Sequence, residues 1–194
     1  MDFKIVVAGT SLGGLKAITA LLSALPENFS LPLVVIQHRE YASGELLKGL
    51  LQKVTCLPVQ EVEDKDAILP GRIYLAPPDY HLLIDRGEFA LSIDDPVTFA
   101  RPSVDVAFDS AAASYGQGVL AVILTGAGRD GAAGAASIEA FGGVVLVQDP
   151  SSAEAKSMPQ AAIAATKAAH VLPLAEIISF LHQNCCLGGQ PQHV

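Results

Sequence analysis

Short continuous apolar runs alternate along this chain with segments whose apolar residues recur every three or four positions. Phe3–Ala8, Leu31–Gln37, Gly118–Leu124 and Val144–Gln148 are of the first kind and read as strands covered on both faces. The segment from Gly14 to Leu25 is of the second kind. It places Leu15, Ile18, Leu21, Leu22 and Leu25 on one helical face, and Pro26 ends it. A second helix begins at Ser43, a capping residue, and carries Leu46, Leu47, Leu50 and Leu51. Ser103–Tyr115 reads as a helix capped by Ser103, and Asp130–Phe141 as a small-residue helix turned by Gly142-Gly143. Pro159–Ala168 is a further helix, His170–Leu172 a short strand, and Pro173–Gln183 the closing helix.

The middle of the chain breaks this rhythm. Pro58–Glu61, Arg72–Ala76, His81–Asp85 and Phe89–Ile93 read as short strands, the last two joined by Arg86-Gly87 as an antiparallel hairpin. The charge run from Glu61 to Asp66 reads as a solvated loop. The repeated β-α-β order predicts an α/β fold of three αβα layers. Its sheet is doubly wound and mostly parallel, with an antiparallel hairpin near residues 81–93. Residues 1–183 are expected to form one domain, and 184–194 a frayed tail.

Composition narrows the classes of function. Hydrophobic residues make up 51% and charged residues 16% of the 194 positions, which favours a globular core over disorder. The net charge of −8 argues against nucleic acid and against loose binding to anionic lipid. Met1 to Lys4 run straight into a strand without a cleavage site, and no apolar run has the length of a membrane span. The expectation is therefore a cytoplasmic protein with no membrane insertion. The odd cysteine count, with Cys185 and Cys186 adjacent, reads as reduced thiols, and no metal-ligand spacing is visible.

In open parallel sheets, chemistry gathers where strands end at the carboxyl edge. The first strand ends in Gly9-Thr10-Ser11-Leu12-Gly13-Gly14, a G-x-S-x-G at a strand-to-helix turn. Such a turn lifts a serine hydroxyl to the sheet edge and leaves the first helical N–H groups, near Leu12 and Gly13, free to stabilise an oxyanion. His38 follows the second strand directly, where a neutral imidazole can take the serine proton. A third strand-end loop, Thr125-Gly126-Ala127-Gly128-Arg129-Asp130-Gly131, supplies Asp130 to orient that imidazole, with Ala127 and Gly128 as further backbone donors. Asp130 also reads as a cap for the helix that follows it. A dinucleotide site is the rival for the first turn. Thr10-Ser11 breaks its glycine spacing, and the second strand ends in Gln37-His38 rather than an acid.

At these residues the sequence resembles the catalytic domain of bacterial chemotaxis receptor methylesterases, the CheB family. Besides the serine turn, the resemblance rests on Val35-Ile36-Gln37-His38, Ile73-Tyr74-Leu75-Ala76-Pro77 and Arg101-Pro102-Ser103-Val104-Asp105. It continues through Leu124-Thr125-Gly126 with Asp130-Gly131-Ala132, and Val147-Gln148-Asp149 with Met158-Pro159. It runs from Phe3 to about Gln183. It implies hydrolysis of glutamate γ-methyl esters on the cytoplasmic helices of methyl-accepting receptors, with release of methanol, and deamidation of receptor glutamines in some relatives. Ser11 would be the nucleophile, His38 the base and acid, and Asp130 the orienting carboxylate. No metal or organic cofactor is implied. Thr10, Gln37, Arg101, Asp105, Thr125 and Met158 are candidate pocket residues.

The chain departs from the family pattern in places. Leu12 stands where Thr or Ala is usual, Ala127 where Met is usual, and Arg39-Glu40 follow His38 in place of Met-Pro. Relatives usually carry a receiver domain before the esterase domain. Here the esterase strand begins at Phe3, so regulation is expected from a separate regulatory or receiver protein. The alternatives are an esterase-fold binding module in a chemosensory or phosphorelay assembly, or an esterase for another ester.

Overall fold

Every position of β1 (Ile5–Thr10) is buried, because apolar residues on both sides of the strand find a separate core on each face of the sheet. Ile5 and Val7 join one core and Val6 and Ala8 the other. The structure, a computed structural model, describes residues 2–38 and 44–186. After β1 come α1 (Gly14–Ser23), β2 (Leu33–Gln37), α2 (Gly44–Gln52), β3 (Val59–Glu61) and β4 (Ile73–Leu75). The hairpin is β5 (His81–Ile84) and β6 (Phe89–Ser92). Then follow α3 (Val104–Tyr115), β7 (Val119–Ile123), α4 (Ala132–Ala140), β8 (Val144–Gln148), α5 (Ser157–Ala165), β9 (His170–Leu172) and α6 (Leu174–Cys185).

The main sheet has seven strands in the order β3-β4-β2-β1-β7-β8-β9, and every pairing in it is parallel. β5 and β6 pair antiparallel as a separate ribbon, with Leu82 opposite Leu91. One core holds Phe108 and Ala111 of α3, Ile138 of α4, Met158 of α5 and Phe89 of the ribbon. The other holds Ile18 and Leu21 of α1, Leu51 of α2 and Leu181 of α6. This is the three-layer, doubly wound arrangement with an antiparallel pair expected from the alternation of elements.

Element ends differ in informative ways. α4 begins at Ala132, not at Asp130, and its preceding cap position is Gly131. α5 begins two residues earlier in the chain than Pro159 suggests, at Ser157, because proline fits the first turn of a helix as well as its start. α6 continues to Cys185, which is buried, and Cys186 bridges to Phe29, so 184–186 belong to the fold and not to a frayed tail. Residues 187–194 and Ser43, expected as the cap of α2, lie outside the described residues. In the charge run, Asp66 accepts the Glu63 N–H and Asp64 accepts the Leu91 N–H, so this loop is tied to the ribbon as well as solvated. Among the described residues no helix is long and apolar enough to cross a membrane.

Candidate active site

Because the sheet is parallel, all its strands deliver their following loops to one rim. The chain winds from β1 outward through β2, then returns to the other side of β1 as β7, so the crevice between β1 and β7 is the switch point where such sheets bind ligands. Ser11 follows β1, His38 follows β2, and Asp130 stands in the loop after β7. The loops are stitched together. Ser11 N–H and the Thr10 hydroxyl both donate to the Thr125 carbonyl, at 3.1 and 2.8 Å. His38 N–H donates to the Thr10 carbonyl at 3.2 Å, and the Gln37 amide donates to the carbonyls of Ser11 (3.0 Å) and His38 (3.1 Å). The serine turn needs its glycine: Gly13 has φ +77°, and a Cβ there would stand 2.8 Å from Cβ of Glu154.

His38 Nδ1 lies 3.2 Å from Ser11 Oγ, and its Nε2 lies 2.6 Å from Asp130 Oδ2. A carboxylate only accepts, so Nε2 carries the ring proton and the Nδ1 lone pair of the neutral imidazole faces the serine hydroxyl. His38 keeps 20% of its side chain exposed, whereas Asp130 keeps 2%. Burial alone would raise the Asp130 carboxyl. The His38 hydrogen bond outweighs it together with the N–H groups of Asp105 and Val104 and the Ser103 hydroxyl, and the net direction is downward. Those donors are close: Val104 N–H at 2.7 Å, Ser103 Oγ at 2.8 Å and Asp105 N–H at 3.0 Å.

Asp130 thus caps a helix, but not the one that follows it. Its carboxylate sits at the N-terminus of α3, where the unpaired N–H groups and the helix dipole favour an anion. Asp105, in the first turn of α3, returns the exchange: its Oδ1 accepts the Gly134 N–H of α4 at 2.8 Å. Burial pushes the Asp105 carboxyl up against the Gly134 hydrogen bond, and the nearby Asp130 charge pushes the same way as burial.

A groove of about 1010 Å³ opens at the serine, bordered by Ser11, Leu12, Lys16, Gln37, His38 and Leu50. The N–H groups of Leu12, Gly13 and Ala127 have no acceptor among the described residues, and Leu12 and Gly13 border the groove beside Ser11. Gly128 is not: its N–H donates to Ser157 Oγ at 3.1 Å.

Other candidate pocket residues serve elsewhere. Thr10 is buried beneath the turn, and Thr125 clamps the Leu12 carbonyl and the Ala155 N–H at 2.9 and 2.8 Å. Thr125 borders instead a smaller cavity of about 330 Å³ with Gly13 and Gln148. Arg101 turns away from the groove, its guanidinium donating to the carbonyls of Ile93 and Asp94. Asp105 is committed to α4, and Met158 is fully buried in the core. Gly126 is a further residue of the site: a Cβ there would stand 3.1 Å from Ser11 Cβ and 2.4 Å from Met158 Sδ. Ser103 reads in the sequence either as a helix cap or, with Arg101 and Asp105, as support for the site's edge; it does both, capping α3 and donating its hydroxyl to Asp130.

The sequence profile of the CheB methylesterase family matches residues 6–181. A putative protein-glutamate methylesterase/protein-glutamine glutaminase of Leptospira interrogans is 42% identical over 188 residues, 95% of this chain and 97% of that protein. The protein-glutamate methylesterase/protein-glutamine glutaminase of Thermotoga maritima is 38% identical over 178 residues, and the match spans 90% of this chain but 52% of that protein. The crystal structure of the Thermotoga maritima CheB methylesterase catalytic domain superposes with a TM-score of 0.88 at 37% identity, covering 93% of this chain and 98% of that one. Sequence and fold agree along nearly the whole length, and the chain belongs to the CheB methylesterase family.

Proposed function

We propose that this chain is a cytoplasmic protein-glutamate methylesterase that acts on glutamate γ-methyl esters of methyl-accepting receptor helices. The observation that carries the reading is the continuous contact from Ser11 Oγ through the His38 ring to Asp130. In this reading Ser11 Oγ attacks the ester carbonyl while His38 Nδ1 takes its proton. The oxyanion of the tetrahedral intermediate meets the open N–H groups of Leu12, Gly13 and Ala127. Its collapse breaks the bond to methoxide, which leaves as methanol with the proton from His38. Water, deprotonated by the same nitrogen, then hydrolyses the γ-glutamyl ester of Ser11, leaving glutamate and the free hydroxyl. Attack on a glutamine side chain follows the same course with ammonia as the leaving group, in keeping with the double name of the relatives.

The groove supports a helical substrate. Leu12, Leu15 and Leu50 are exposed along it, which suits the apolar stripe of an amphipathic helix, and Lys16 suits the acidic residues beside a methylated glutamate. A serine-directed fluorophosphonate tests the reading. Covalent labelling of the protein at Ser11, lost in Ser11→Ala, is expected. A protein that binds receptor yet takes no label is instead an esterase-fold binding module.

A further inference from the structure

His81 is a buried imidazole that the reaction above leaves unused. It opens β5 with 2% of its surface exposed, and both ring nitrogens are engaged. Nε2 lies 3.1 Å from the Asp95 carbonyl oxygen and Nδ1 lies 3.3 Å from the Ser103 main-chain nitrogen. A carbonyl only accepts and a main-chain N–H only donates, so the proton sits on Nε2 and Nδ1 is the acceptor. The Ser103 hydroxyl is equally committed. Its oxygen accepts the Val106 N–H at 3.4 Å, so its hydrogen points to Asp130 Oδ1, 2.8 Å away.

We propose that Ser103 and His81 are positioning residues for the hydrolysis: the Ser103 hydroxyl holds the Asp130 carboxylate in the orientation that meets His38, and His81 holds Ser103. This rests on the Ser11–His38–Asp130 reading. The two main-chain donors to Asp130, from Val104 and Asp105, belong to the helix end and follow α3 wherever it goes. Ser103 is the side-chain donor opposite His38, and it connects the carboxylate to the ribbon through His81 and to the loop after it through Asp95. Asp130 is therefore gripped from α3 and from β5 at once, while His38 and the Asp105 carboxylate are the ionisable groups that face it.

A plain helix cap and a positioning hydroxyl part company at Ser103→Gly. Glycine caps an α-helix nearly as well as serine but has no hydroxyl to donate. With aspartate carboxyl carbons labelled with ¹³C, the NMR titration of Asp130 is expected to move to higher pH in Ser103→Gly and to stay with the parent protein in Ser103→Thr. Hydrolysis of p-nitrophenyl acetate is expected to lose about tenfold in kcat in Ser103→Gly with KM little changed, and to recover in Ser103→Thr. His81→Asn, whose amide oxygen replaces the Nδ1 acceptor, is expected to keep most of the activity that His81→Gln loses. An unmoved Asp130 titration in Ser103→Gly, or equal kcat in the Gly and Thr variants, overturns the proposal. A parent protein that turns over no ester while the Asp130 titration still moves as described sinks the esterase reading and leaves the grip on the carboxylate standing.

Discussion

Asp130 concentrates most of the site's physics in one side chain. It is buried, it remains the anionic partner of His38, and it accepts from Ser103, Val104 and Asp105. Asp130→Asn keeps the size but replaces an acceptor with an NH₂ group, so the imidazole loses the partner that selects its tautomer. A fall in kcat of about ten-thousand-fold is expected in steady-state ester hydrolysis. The same exchange acts on stability. The folded Asp130 carboxyl lies below its ordinary value, so its contribution is present above the unfolded value of about 3.9 and disappears as pH falls through the lower folded value. Urea unfolding should accordingly show the parent protein more stable than Asp130→Asn at pH 7, with the gap closing below about pH 4. The serine and the histidine are legible in the sequence because each stands directly at a strand end. The aspartate is legible as a residue but not as the cap of α3, since that partner lies 26 positions upstream and only the folded chain brings it near.

At the scale of elements, α3 and α4 exchange caps: Asp130 serves α3 and Asp105 serves α4. The two carboxylates have opposite linkage. Burial first and then Asp130 raise the folded Asp105 carboxyl, so any stabilisation it gives is full below about pH 3.9 and is lost as pH rises through the raised value. Asp105→Asn keeps an oxygen for the Gly134 N–H and removes the buried charge. It should be at least as stable as the parent at pH 7 in urea unfolding, whereas Asp105→Ala should lose about 1 kcal/mol with the cap. The end of α6 carries a separate expectation. Burial, and then the neighbouring Cys186, push the Cys185 thiol up to about 12. Iodoacetamide at neutral pH should therefore modify exposed Cys56 and spare Cys185 in the native protein. The sequence showed these helices by their apolar spacing. It did not show that Cys185 belongs to the last one, because the residues after Gln183 lack a periodic stripe long enough to read.

For the whole molecule, the arrangement was largely legible: alternating apolar runs and amphipathic segments specify parallel layers, and the rim that holds the candidate site follows from the parallel sheet. The strand order was not. β3 and β4 are short, and nothing in their spacing says that both join the main sheet while β5 and β6 form a ribbon apart. Nor does the local pattern reveal that Leu15 and Leu50, which read as core-facing, are exposed beside the serine. That exposure gives the groove its character. Leu50→Asp should lower the ratio of kcat/KM for a helical peptide methyl ester to that for p-nitrophenyl acetate by about tenfold or more, as expected when the burial of one leucine is lost. The most direct test of the central claim is acid quenching during turnover of a peptide carrying a glutamyl γ-methyl ester, with methanol measured and Ser11 examined by mass spectrometry. Methanol release with a transient γ-glutamyl adduct on Ser11, both absent in Ser11→Ala, is the predicted result. Methanol release that persists in Ser11→Ala, or an intact ester with the parent protein, would contradict it.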